Sequence, residues 1–332
     1  MSNFNSVVGH EQIINHLKTA IEQNKVSHAY IFNGEKGSGK KMLSDIFAET
    51  IQCQEKGTEL CGKCKSCLQA QSNNHPDIVH VTHGKASVSV DDIRIQINND
   101  IVVKPYSSPY KIYIVPEADK MTEQAQNALL KTIEEPPAYG IILLLTENSE
   151  KLLPTILSRC VMLNLKPIQP NLIQKYLMEV KQAPEYMAEL SADFSQGNVG
   201  KAIRYAFSED FIEMKDEVLH LLRHIDEMQI YEVIDAMKTM TKYKLEISDY
   251  MDLMLLWYRD VLMFKVTNNP NVLLYADEVK YISMQSINKD YEGIENIIAA
   301  LDKAKVRLAA NVNFDTAMEL MLLTLKENRN EG

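Results

Sequence analysis

The sequence predicts an α/β domain on a mainly parallel, five-stranded sheet, followed by a small helical segment and an all-helical remainder. Three observations predict it. Short apolar runs alternate with helical patterns over the N-terminal half, and a glycine-rich loop joins the first run to a helix. Beyond residue 211 proline and glycine nearly vanish, leaving Pro270, Gly293 and Gly332. A chain of 332 residues has room for two or three domains.

The elements follow in order. Ile13, Ile14, Leu17, Ala20 and Ile21 recur at helical spacing, so residues 10–23 read as an amphipathic helix. Ala29–Phe32 reads as a buried strand that runs into GEKGSGKK (34–41), and Met42, Leu43, Ile46, Phe47 and Ile51 mark the helix after it. Ile78–Val81, Ile112–Val115, Ile141–Leu145 and Val161–Leu165 supply the other strands. Thr122 is placed to cap a helix whose apolar face is Ala125, Ala128, Leu129, Thr132 and Ile133, and Pro136-Pro137 stops it. At Pro167-Ile168-Gln169-Pro170 the character changes, and 171–207 read as short helices punctuated by Gly197 and Gly200. Helical spacing then dominates: Ile230, Val233, Ile234, Met237; Met251, Met254, Leu255, Tyr258, Val261, Leu262; Ile294, Ile297, Ile298, Leu301. These positions read as the core of a bundle. The expected divisions are 1–166, with a cysteine module at 52–68, then 167–208 and 209–332.

Composition narrows the class. Hydrophobic residues make up 45% and charged residues 24%, an ordinary globular balance. No apolar run approaches the ~18 residues of a membrane span, and MSNFNSVVGH lacks a signal-peptide pattern, so a cytoplasmic protein without membrane contact is expected. A formal net charge of −10 gives the whole chain no electrostatic footprint for nucleic acid, so any DNA contact is local or shared with more basic partners.

GEKGSGKK satisfies G-x-x-x-x-G-K but ends in Lys41 where a phosphate-binding loop has Ser or Thr. Gly34, Gly37 and Gly39 let backbone N–H groups curl around phosphate oxygens, and Lys40 would reach the β- and γ-phosphates. Lys41 offers no lone pair to Mg²⁺ and repels it. A second position fails as well. In KIYIVPEADKM (111–121) the strand end that normally carries Asp-Glu reads Pro116-Glu117. Glu117 retains a carboxylate able to polarise a water, but proline holds no metal. Without the metal, phosphoryl transfer lacks its main electrostatic support, so hydrolysis is not expected. Binding of ATP or ADP without turnover stays open, because the glycines and Lys40 remain.

Cys53, Cys61, Cys64 and Cys67, spaced C-x7-C-x2-C-x2-C, can close a tetrahedral zinc site. Four protein ligands leave no open position, so such a zinc is structural, and it explains how a polar stretch poor in apolar groups folds. Cys160 stands apart and reads as a buried thiol. Arg159, in PTILSRC (154–160), closes a short helix before the fifth strand. From chemistry alone it reads as a surface or ion-paired arginine, or as one able to reach a phosphate held by a neighbouring subunit.

Together, VVGHEQ, SHAYIFNGEKGSGKK, the four cysteines, NALLKTIEEPP and LLLTENSEKLLPTILSRC resemble bacterial clamp-loader subunits of the AAA+ class over about residues 4–207. WYRDVLMFK (257–265) agrees more loosely with the family's collar domain. The resemblance implies an AAA+ P-loop domain with a zinc-binding insertion, a helical lid and an all-α collar for oligomerisation. The family contains an ATP-hydrolysing motor subunit and a relative with a decayed nucleotide site. This sequence departs from the motor pattern at Lys41, at Pro116, and at Gly200, where the motor places an arginine. The resemblance therefore implies an accessory subunit of a DNA-directed DNA polymerase holoenzyme with no ATPase of its own. Its partners would be motor ATPase and delta subunits in a five-membered ring that loads a sliding clamp onto primed DNA. Arg159 becomes an arginine finger serving a neighbour, and Thr146 matches the family's first-sensor position. Two other readings remain to be separated by experiment: an ATPase with unconventional metal ligands, and a zinc-dependent nucleic-acid-binding module.

Overall fold

All five apolar runs are strands of a single parallel sheet: β1 (Ala29–Asn33), β2 (Ile78–His80), β3 (Lys111–Val115), β4 (Gly140–Thr146) and β5 (Val161–Asn164). Their order is β2-β3-β4-β1-β5. The structure, a computed structural model, describes residues 3–84 and 86–327. It divides into two compact units, Met1–Ala206 and Phe207–Gly332. In the first, β1 lies between β4 and β5, with Ile31 opposite both Leu144 and Met162.

Parallel strands need crossover connections, and these cover both faces of the sheet. Before β1 the chain forms α1 (Glu11–Glu22); the crossovers carry α2 (Lys40–Gln52), α3 (Lys65–Gln71), α4 (Val90–Ile93), α5 (Glu123–Glu134) and α6 (Pro154–Leu157). Side chains alternate along each strand, so one face joins Tyr30, Phe32, Ile114 and Leu143 to Ile14 and Leu17 of α1 and to Leu43 and Phe47 of α2. The opposite face joins Ile31, Val115 and Leu144 to Leu129 and Ile133 of α5 and to Ile156 of α6. Thr122 caps α5 as its position suggests, with its Oγ1 accepting the Ala125 N–H at 3.2 Å.

Between β2 and β3 the fold holds a helical stretch that sequence reading leaves out. Ser89 and Asp92 close a reciprocal capping box that starts α4, and a π-helical turn, Arg94–Asn98, continues it. Its Ile93 and Ile97 are buried against the sheet. Three further helices, α7 (Pro170–Glu179), α8 (Glu185–Phe194) and α9 (Val199–Phe207), enclose a small core of Ile173, Leu177, Ala188, Ala192 and Ala202.

The second unit is helical throughout its described residues: α10 (Asp210–His224), α11 (Ile230–Met240), α12 (Ile247–Thr267), α13 (Val279–Asn288), α14 (Tyr291–Ala309) and α15 (Phe314–Glu327), linked by short 3₁₀ turns. Its centre is α12, where Tyr250, Met254, Trp257 and Tyr258 are buried. The indole N–H of Trp257 donates to Gln285 Oε1 at 2.9 Å, and Gln285 Nε2 donates to the Leu222 carbonyl at 2.7 Å. One expectation is corrected on α11. Val233 is buried there, but Ile230 and Ile234 are exposed, because the helix turns its Val233–Met240 side inward. Among the described residues no helix is long and apolar enough to cross a membrane.

Candidate nucleotide site and metal centre

β1 delivers the glycine loop to the C-terminal edge of the sheet, between the ends of β4 and β5, where open α/β sheets place their ligands. Gly37 and Gly39 have φ of +89° and +96°, a region that L side chains rarely enter. Gly39 caps α2 and aims the helix N-terminus into the loop. Lys36, Gly37, Gly39, Lys40, Lys41, Pro116 and Glu117 all line one cavity of about 340 Å³. Asp119 and Glu147 line it too, and sequence reading did not single them out.

Lys40, Glu117 and Asp119 of the cavity are each bonded to neighbouring protein groups. Lys40 Nζ turns back onto its own loop, donating to the carbonyls of Gly34 and Glu35. Burial lowers its pKa, against the raising influence of Glu147, Asp119 and Glu35. Glu117 stands at φ +50°, with its carboxylate 2.6 Å from Lys120 Nζ and 3.2 Å from His83 Nε2. The bond from Lys120 is the main reason its carboxyl is held below the ordinary range. Thr146 is fully buried; its hydroxyl donates to Asp119 Oδ1 at 3.2 Å and accepts the Asn148 N–H at 3.2 Å. Gly34 is tied to the same strand end, its N–H donating to the Thr146 carbonyl at 3.1 Å. Lys41 lies in the first turn of α2, one turn before Asp45, whose carboxyl is raised by burial against the lowering influence of His80 and Lys41.

The cysteines converge. The sulfurs of Cys53, Cys61, Cys64 and Cys67 all lie within 4.8 Å of one another, and Cys61 Sγ is 3.9 Å from Cys67 Sγ. Tetrahedral geometry with Zn–S bonds of ~2.3 Å requires S···S separations of about 3.8 Å, so the set fits a metal such as zinc. The Cys64 and Cys67 N–H groups point at the sulfurs of Cys61 and Cys64, each at 3.4 Å. Backbone N–H groups of Lys63 and Cys64 draw the Cys61 thiol down to about 6. Burial raises the Cys53 and Cys67 thiols.

A buried polar network anchors this module. Asp77 accepts the N–H groups of Tyr106, Ser107 and Ser108 at 2.6, 2.9 and 3.1 Å. The Asp77 N–H donates to His75 Nδ1 at 3.1 Å, which leaves the His75 Nε2 proton for Ser66 of α3 at 3.0 Å. His75 is therefore a neutral structural bridge and no general base for Ser66; burial lowers its pKa as well.

Arg159 follows α6 and is absent from the cavity lining. Its Nη2 is 3.1 Å from Glu134 Oε1, and Nη1 donates to the Thr155 carbonyl at 3.1 Å. Its side chain keeps 41% of its exposure. Beside it, burial pushes the Cys160 thiol up to about 12, so it is a packed thiol and not a poised nucleophile.

Known proteins place this geometry. A family model described as DNA polymerase III, delta subunit, matches residues 9–169. DNA polymerase III subunit delta-prime of Bacillus subtilis is 33% identical over 314 residues, 94% of each chain. Subunit tau of the same organism is 28% identical over 284 residues, covering 79% of this chain and 50% of that longer one. Among solved structures, a gamma subunit-related protein of DNA polymerase III from Thermotoga maritima shares the fold, with a TM-score of 0.50 at 18% identity over 95% of this chain and 99% of its own. The alignment at 33% identity over nearly the whole of both chains leads to one assignment: the chain belongs to the delta-prime subunit family of DNA polymerase III.

Proposed function

We propose that this chain is a non-hydrolysing subunit of the replicative clamp loader, acting in a five-membered ring with motor-type and delta subunits that places a sliding clamp on primed DNA. In this reading residues 1–166 are the AAA+ domain, 167–208 its lid and 209–332 the collar that joins the ring. The observation that carries it is the contrast between two sites. At the nucleotide site, Lys41 and Pro116 occupy both metal-holding positions, and Lys40 is bonded to its own loop. At the other, Arg159 stands on the surface with its guanidinium held by Glu134 and Thr155. A subunit that serves its neighbour's chemistry needs the second and not the first. The four cysteines hold a structural zinc, which when bound ties the 53–67 segment into one fold and takes no part in catalysis.

The test is reconstitution of the complex with Arg159→Ala. An arginine finger contributes roughly 10³–10⁵ to the rate at the site it serves. Clamp-stimulated ATPase should fall by the full share of that site, while the isolated chain releases no phosphate with either residue. Unchanged ATPase in a complex that still assembles would sink the finger assignment.

A further inference from the structure

The second unit carries a pair of imidazoles that the clamp-loader reading does not use. The chain has eight histidines, and only His220 and His224 share a helix. They stand one turn apart on α10, at the i, i+4 spacing that lets two imidazoles grip one metal ion from a single helix face. Both are exposed, whereas Phe211, Met214, Val218 and Leu222 turn the opposite side of α10 into the core. Among the described residues neither imidazole makes a hydrogen bond or an ion pair, and each ring lies against the other.

The separation of the rings is the deciding quantity. Their centroids are 5.2 Å apart and their planes meet at 60°. Zinc–nitrogen bonds of roughly 2.0–2.1 Å put each imidazole centroid about 3.2 Å from a shared ion, so a tetrahedral angle sets the two centroids about 5.2 Å apart. The pair stands at chelating distance. The backbone around it is tied down as well. The Ile225 N–H donates to the Leu221 carbonyl at 2.8 Å, and the N–H groups of Glu227 and Met228 both donate to the His224 carbonyl, at 2.8 and 3.1 Å. Between the two histidines, Arg223 donates from Nε to Glu278 Oε2 at 2.8 Å, and Leu221 and Leu222 are buried. An ion that closes a chelate on a helix end already fixed has little left to order.

We propose that His220 and His224 form a metal site separate from the cysteines, for a borderline divalent transition ion such as Zn²⁺, Ni²⁺ or Cu²⁺. Imidazole nitrogen favours these ions over Mg²⁺ and Ca²⁺, which take oxygen ligands. The four cysteines are the only cluster of three or more such ligands among the described residues, so on α10 the protein supplies two. The other positions go to water or to a donor on another molecule, unlike the closed thiolate site.

Isothermal titration of the full chain tests it, with the cysteine site first filled with zinc and the excess removed. One further Zn²⁺ or Ni²⁺ should bind per chain, and Mg²⁺ should not. His220→Phe keeps a ring beside His224 but no ligand nitrogen, and it should weaken binding at least about tenfold, because the chelate is lost. His224→Ala should do the same. The ion should also raise the urea midpoint followed by Trp257 fluorescence in the original chain and leave the variants unmoved. Equal binding by the original chain and by variants folded by circular dichroism overturns the site, and so does no uptake beyond the cysteines. Should both variants misfold, imidazole NMR signals of the original chain decide. Ni²⁺ should broaden those of His220 and His224 before those of the other six histidines, and uniform broadening overturns the proposal.

Discussion

Replacing Asp77 should cost more stability than its unremarkable place in the sequence suggests. The side chain is 1% exposed, and its carboxylate accepts three backbone N–H groups of the loop that leads into β3. Hydrogen bonds to a charged group are worth about 1.5–3 kcal/mol each, so three amount to roughly 5–9 kcal/mol if simply summed. Water entering the vacated space and non-additivity reduce this, and Asp77→Ala should cost about 3–5 kcal/mol. The informative variant is Asp77→Asn. Tyr106 binds Oδ1 whereas Ser107 and Ser108 bind Oδ2, so a single amide oxygen can serve one side only. Its NH₂ would face a backbone N–H on the other, and a cost of about 2–4 kcal/mol is expected. Urea denaturation should be followed by far-UV circular dichroism, because the only tryptophan, Trp257, reports the helical unit. Amide exchange at 106–108 supplies the local readout. Should Asp77→Asn lie within about 0.5 kcal/mol of the original chain, the carboxylate is filling space and the reasoning is wrong.

Three further outcomes are expected. Burial, reinforced by Asp45, raises the Glu49 carboxyl from 4.5 to about 7. The folded chain then holds a proton that the unfolded chain releases, so its stability declines as pH rises from 4.5 to about 7 and is level above. Glu49→Gln should flatten that slope in Tm measured against pH, and an unchanged slope would refute the assignment. Metal analysis should find one zinc per folded chain, released by a strong chelator and lost in Cys64→Ser; a folded, zinc-poor preparation counts against the four-thiolate site. Lys41→Thr alone should produce no Mg²⁺-dependent phosphate release, because Pro116 still occupies the second position, and turnover by that variant would show that one ligand suffices.

Legibility in the sequence follows locality. The strands declare themselves as short apolar runs, and Thr122 with Pro136 brackets α5, because each signal acts within a turn or two of the residue that carries it. The start of α4 is just as local, in Ser89 and Asp92, yet it carries no long apolar stripe to draw the eye. The second unit shows the limit of periodicity. On α11 the spacing declares a helix but offers more than one apolar stripe, and only packing turns Val233 inward and leaves Ile230 exposed. The Ser66–His75–Asp77 network is hidden in the sequence because its partners come from α3, the entry to β2 and the loop before β3.

The sequence by itself determined what is chemically present: four thiols at metal spacing, a lysine and a proline where Mg²⁺ would need oxygen ligands, and an arginine after a short helix. Those are properties of residue types and of neighbours along the chain. The tertiary structure alone decided what each group touches. It turned Lys40 onto its own loop, paired Glu117 with Lys120 and His83, and set Gly200 against Gly37. The last contact joins residues at opposite ends of the first unit. Crossover connections and the close approach of two glycine backbones create it, and neither leaves a periodic trace in the sequence.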